Sequence, residues 1–252
     1  MLSPSATPAA TTNDVMARIM PVWSNTFWIK NALDLCEGIW LHADDIPGQN
    51  HHFFALVEKF SIDAVVLGIC KLFDRGNRRY DKDSIPEVIA YAKENLTEAY
   101  VSRLDMQVLI DLGDAEAAKI AKEFNTKSTF LESKDRLFNL LDDLTPATTP
   151  NSPLEQLFLF RDKVIAHQER VGCALASQLK YLPPVGDIEK INDWASNLCE
   201  LMSCIMTNGT LLPHTVSARM AALHVVAKVL DKKFDSYQER EAFFRRPPTW
   251  GK

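Results

Sequence analysis

The 252 residues predict an all-α chain, and three observations carry that expectation. Only 9 glycines are present, strand-like alternation of apolar and polar residues is scarce, and Ala, Leu, Lys and Glu recur at helical spacing. An apolar fraction of 46% and a charged fraction of 24% are ordinary for a globular protein, and the length suffices for a core without covalent staples. The expected organisation is a disordered tail over 1–12, small, polar and Pro-bearing, one helical domain over 13–236 and a C-terminal tail over 237–252.

Asn13 is expected to cap the first helix, and Pro21 to divide it from a second carrying Trp23, Phe27, Trp28, Ala32, Leu35, Ile39 and Trp40. Aromatic stripes at helical spacing are mostly core, so these tryptophans are read as packing residues rather than a ligand platform. Ile46-Pro47-Gly48-Gln49-Asn50 is a turn. The segment 51–73 is so continuously apolar that it reads as a helix buried on several sides, interrupted by Asp63, which is expected to pair with Arg161 or His167. His51 and His52 lack a further ligand at helical spacing, so no metal is expected. The loop 74–81 mixes Arg75, Arg78, Arg79 and Tyr80 with Asp74 and Asp81. It either touches phosphate and stacks on a base or is neutralised internally by its own carboxylates and Asp83.

Ser84 with Glu87 forms a capping box for a helix over 85–95. Two or three further helices follow over 97–144, divided at Gly113-Asp114, the last being FLESKDRLFNLLDDL. Adjacent carboxylates such as Asp142-Asp143 point in different directions on a helix and fit solvated turns. TPATTP over 145–150 must be a loop. After residue 167 the chain is expected to stay helical toward 179 and to stop at YLPPVG. Asp187 then caps an amphipathic helix closing at Asn208-Gly209. A last helix covers about 217–234, and the tail FFRRPPTWGK either docks on a partner, binds a polyanion or is mobile.

The most informative stretch is 152–171, SPLEQLFLFRDKVIAHQERV. Ser152 caps, Pro153 suits the first helical position and Glu155 completes a capping box. At about 100° per residue, Leu154, Leu157, Phe158 and Ile165 form an apolar stripe that Phe160 and Val164 widen. Arg161 and His167 break into it. Singly, such an Arg is usually a structural ion pair and such a His a satisfied core histidine. Together, about 9 Å apart along an α-helix and roughly 120° apart around it, they cannot form a same-face pair. A second copy packed across a two-fold axis would bring both pairs into one cleft.

Arg161-Asp162-Lys163-Val164-Ile165-Ala166-His167 resembles the R-x(4–6)-H signature of the HEPN superfamily, and FRDKVIAHQE resembles its AbiU-like abortive-infection branch. Upstream, FFALVEKFSIDAVVLGICKLFDRGNRRYDKDSIPEVI is similar to that branch's apolar helix, Asp-bearing turn and following amphipathic helix, and the likeness runs from about residue 23 to 200. The resemblance implies a HEPN-type helical bundle with additional helices that forms a homodimer. It implies metal-independent cleavage of RNA, with no cofactor, in phage defence or a toxin–antitoxin system, an antitoxin being a possible partner. Some members only bind RNA or a partner. The implied catalytic residues are Arg161 and His167, with Asp162 and Lys163 supporting them and Arg75, Arg78 and Arg79 as possible RNA contacts. His167 would move protons near pH 7, and the fork of Arg161 would stabilise phosphorane charge.

A net charge of −5 excludes a general nucleic-acid coat, which must neutralise many phosphates, but leaves room for a small basic cleft. Cys36, Cys70, Cys173, Cys199 and Cys204 are odd in number and without C-x-x-C, a pattern of reduced cytoplasmic thiols, mostly in the core. No apolar run suits a membrane span or a signal peptide. Phosphate-loop, nucleophile-elbow and H-E-x-x-H motifs are absent.

Overall fold

The computed structural model describes residues 12–75, 83–96, 127–166, 182–207 and 218–244. Among them all regular structure is helical. The helices are α1 (Thr12–Trp40), α2 (Gly48–Phe73), α3 (Ile85–Asn95), α4 (Lys127–Leu144), α5 (Pro153–Phe160), α6 (Val185–Thr207), α7 (Ala218–Val229) and α8 (Tyr237–Phe244). A π-helical turn, Arg161–Ala166, extends α5, and a short 3-10 turn, Ala43–Asp45, precedes α2.

The helix at the centre is α1, which packs on α2, α3, α6 and α7. Val15, Ile19, Val22, Ile29 and Leu33 are all buried and join one core with α2, α3, α4, α5 and α6. Pro21 does not divide this helix. Its exposed side faces water, as does that of Ala17, so the carbonyl that loses its helical partner is solvated while the buried neighbours Ile19 and Val22 hold the axis in place. The aromatic stripe is also less buried than its spacing suggests. Trp28 is 65% exposed, whereas Trp23 packs on the core and the indole Nε1 of Trp40 donates to Glu58 Oε1 at 2.6 Å.

Close approach of α1 to α2 depends on Gly68. A Cβ built there would lie 2.6 Å from Ile29 Cγ1, and the Gly68 carbonyl accepts from Asn25 Nδ2 at 2.8 Å. Across the other side, Lys30 reaches Glu189 of α6 at 3.4 Å and Asn192 Nδ2 donates to the Thr26 carbonyl at 3.2 Å. Helix α2 is buried over a wide arc and leaves one face open. Val65, Val66, Ile69, Cys70, Leu72 and Phe73 are buried, yet Phe53, Leu56, Phe60 and Leu67 are exposed; among the described residues α1, α3, α5 with its π turn, and α6 pack on the helix. Asp63 pairs with Lys59 at 2.6 Å, one helical turn away, and not with Arg161.

Ser84 opens α3, and its carbonyl accepts from Val88 N at 2.8 Å, but its buried hydroxyl makes no capping bond. Pro86 occupies one of the first-turn positions whose N–H a cap would bind. Helix α6 starts at Val185, so Asp187 lies in its first turn, paired with Lys190 at 3.0 Å. Residues 237–244, expected to be tail, form α8. Ser236 Oγ accepts from Glu239 N at 3.1 Å, while Glu239 Oε2 accepts from Asp235 N at 3.0 Å, a reciprocal cap readable in Ser236–Glu239. The Phe243 ring stacks on His42 with centroids 3.9 Å apart, tying α8 to the end of α1.

Candidate functional site

Helix α5 delivers the motif. Its start follows the sequence expectation: Ser152 Oγ accepts from Glu155 N at 3.1 Å, Glu155 Oε2 accepts from Asn151 N at 2.6 Å, and Pro153 stands at N1. Leu154, Leu157 and Phe160 are buried, and the helix packs on α2 and α6. At Arg161 the winding widens from α to π, a change that recurs at functional sites. Over Arg161–Ala166 the rise and rotation per residue therefore differ from those of an α-helix. Val164 and Ile165 still pack on the core.

The Arg161 side chain is 25% exposed and held on three sides. Nε donates to Asp162 Oδ1 at 2.7 Å. Nη1 lies 3.5 Å from Asp74 Oδ1, just past the end of α2. The guanidinium also sits over the Phe158 ring, 4.7 Å from its centroid, a cation–π contact. Partial burial opposes its charge, but the Asp162 hydrogen bond, the Asp162 and Asp74 carboxylates and the nearby Cys70 outweigh this and raise its pKa above the ordinary value. It is a fixed cation. Asp162 accepts the Nε donor and Asp74 forms an ion pair at Nη1, and the other N–H groups of the five-donor fork are the ones able to bind an anion.

Phe158 has a second role. It helps line a cleft of about 620 Å³ with Phe73, Arg75, Pro86, Leu154, Asp142, Asp143 and the 145–148 turn. Arg75, proposed from the sequence as an RNA contact, is placed here, one residue from the carboxylate that holds Arg161. Asp142 and Asp143, read from the sequence as carboxylates of solvated turns, are exposed in the last turn of α4 and border this cleft. Their charges make the cleft mixed rather than basic. Asp162 is half-exposed beside Arg161, and Lys163 lies one residue further along the same turn. His167, Arg78 and Arg79 lie outside the described residues, as do Cys173, residues 97–126 and the expected continuation of the motif helix toward 179.

Compared with family models, curated proteins and solved structures, the chain matches none. The site therefore stands on its own geometry. The sequence singled out Arg161 but not Asp74, whose role as its partner depends on α2 ending beside α5. Cys70 contributes no nucleophile: burial, only partly offset by Arg161, pushes its thiol up to about 12. His51 is engaged with the Ile46 carbonyl at 2.6 Å, and no group of three metal-ligating side chains occurs among the described residues. Among those residues no helix is long and apolar enough to cross a membrane.

Proposed function

We propose that this chain is an RNA-directed effector, a metal-independent endoribonuclease of the HEPN kind acting in phage defence or as the toxin of a toxin–antitoxin pair. The observation that carries the reading is Arg161: a permanent cation at the start of a π turn, immobilised by Asp162, Asp74 and Phe158, beside a cleft that also contains Arg75. In the proposed reaction a ribose 2′-oxygen attacks the adjacent phosphorus and the bond to the 5′-oxygen breaks, leaving a cyclic phosphate and a 5′-hydroxyl. His167 moves the proton between those oxygens. Arg161 directs its remaining donors at the equatorial oxygens, where charge accumulates. Two chains related by a two-fold axis share the pocket, Asp162 orients Arg161, and Lys163, Arg75, Arg78 and Arg79 contact the RNA backbone.

The experiment is cleavage of mixed RNA in the presence of EDTA by wild type, His167→Ala and Arg161→Ala. Wild-type cleavage that falls by about 100-fold or more in each folded variant is the expected result. The second reading is a non-catalytic protein that binds RNA or a partner, and a specific feature favours it: Arg161 already has two carboxylate partners within its own chain. Intact RNA with wild type, together with RNA binding that Arg161→Ala weakens, selects that reading. Neither cleavage nor binding would reduce Arg161 to a structural ion pair.

A further inference from the structure

The exposed residues of α2 form a single face. Phe53 is 57% exposed, Leu56 40%, Phe60 65% and Leu67 45%, and Ala64 is exposed between them. At 100° per residue all five fall within an arc about 80° wide, running roughly 20 Å along the helix. They leave on the order of 400 Å² of apolar surface open to water, the size of patch that commonly marks an interaction site.

We propose that this face pairs with the same face of a second copy, the two α2 helices running antiparallel about a two-fold axis at Phe60. The order Phe53, Leu56, Phe60, Ala64, Leu67 is symmetric in spacing, at 3, 4, 4 and 3 residues. Antiparallel pairing therefore sets Phe60 against Phe60, Leu56 against Ala64 and Phe53 against Leu67, so bulky groups meet smaller ones on either side of the axis. A shallow apolar cleft of about 190 Å³ beside Phe53, bordered by Leu35, Ile39, Val57 and Val225, receives Leu67 of the second copy.

Charge selects the same arrangement. Lys59 and Asp63, paired at 2.6 Å within the chain, lie together on one flank of the stripe. A two-fold antiparallel contact sets that flank against its own copy, so each Lys59 approaches the other chain's Asp63 and four alternating charges close into a ring. Parallel pairing would instead oppose Lys71 to Lys71, which continues the stripe. The apolar stripe supplies about half of the roughly 800 Å² per partner that a stable interface buries, and the charged rim and Val225 extend it.

This contact is separate from the shared pocket proposed above and does not rest on the nuclease reading. Asp74, which holds Arg161, lies 14 residues from Phe60, about 21 Å along the helix, so an α2 pair keeps its two Arg161 groups about 40 Å apart. A chain that uses both contacts associates beyond a dimer.

The test measures mass by sedimentation for wild type, Phe60→Glu and Phe60→Lys, with helicity followed by circular dichroism. Because residue 60 is exposed, both variants are expected to fold. Each alone should have half the wild-type mass, and an equimolar mixture should regain the full mass, because position 60 meets itself across the axis. Three outcomes overturn the proposal: a single-chain wild type, which assigns the face to a different partner; variants that keep the wild-type mass; or a mixture that stays at half mass.

Discussion

At the level of single residues, the chemistry concentrates on how Arg161 divides its donors. Asp162 is adjacent in sequence and holds Nε, whereas Asp74 approaches Nη1 at 3.5 Å from just past the end of α2. An incoming phosphate therefore competes with Asp74 more than with Asp162. Asp74→Asn removes that competing charge while leaving the Asp162 bond in place. RNA affinity of the variant is expected to rise severalfold, since a partly exposed ion pair contributes up to about 1 kcal/mol. Binding at fixed ionic strength checks this. Weaker binding would instead make Asp74 the group that aims Arg161. Sequence spacing exposed Arg161 because a cation interrupts an apolar stripe, but nothing in the local pattern linked it to a residue 87 positions earlier. That link exists only once α2 and α5 are packed.

At the level of elements, local chemistry and packing contribute differently. The Ser152–Glu155 box sets where α5 begins, and with it the register that brings Leu154, Leu157 and Phe160 inward and Arg161 to the turn. Ser152→Ala is expected to cost about 1 kcal/mol in chemical denaturation, with Ser152→Gly costing only a few tenths. The contact of α1 with α2 has no such local determinant. Gly68→Ala should destabilise by about 1–3 kcal/mol, because the added methyl meets the buried Ile29 side chain and the two helices must separate. A change within a few tenths of a kcal/mol would show that Ile29 can rotate away. The same contrast explains what was legible beforehand. Helix content and the α5 cap follow from propensity and capping residues, and so were readable in the chain, whereas α3 begins after Ser84 without the cap bond that its sequence predicts. Continuity through Pro21, the open face of α2, the π turn and the unused Ser84 hydroxyl depend on which side of each helix its neighbours cover. The cap at Ser236 was readable, but the helix it opens lay in a segment expected to be tail.

At the level of the whole molecule, the core joins helices distant in sequence, and its thiols sense whether they stay joined. Cys36 on α1, Cys70 on α2 and Cys199 on α6 are all buried, and desolvation raises each of their pKa values to about 12. A thiol held near 12 in the folded chain but ionising at about 8.5 when unfolded favours folding fully below the unfolded value. That contribution is lost as pH climbs between the two, because the unfolded chain then releases protons that the folded chain retains. Stability should therefore be insensitive to these groups up to about pH 8 and fall from about pH 9 upward. A Cys36→Ala, Cys70→Ala, Cys199→Ala triple variant, although less stable at neutral pH through lost packing, should lose less stability between pH 8 and pH 10. Denaturant midpoints across that range measure the slope. Equal slopes for the two proteins would mean that the thiols ionise without opening the core, and that α1, α2 and α6 are less tightly closed around them than their burial indicates.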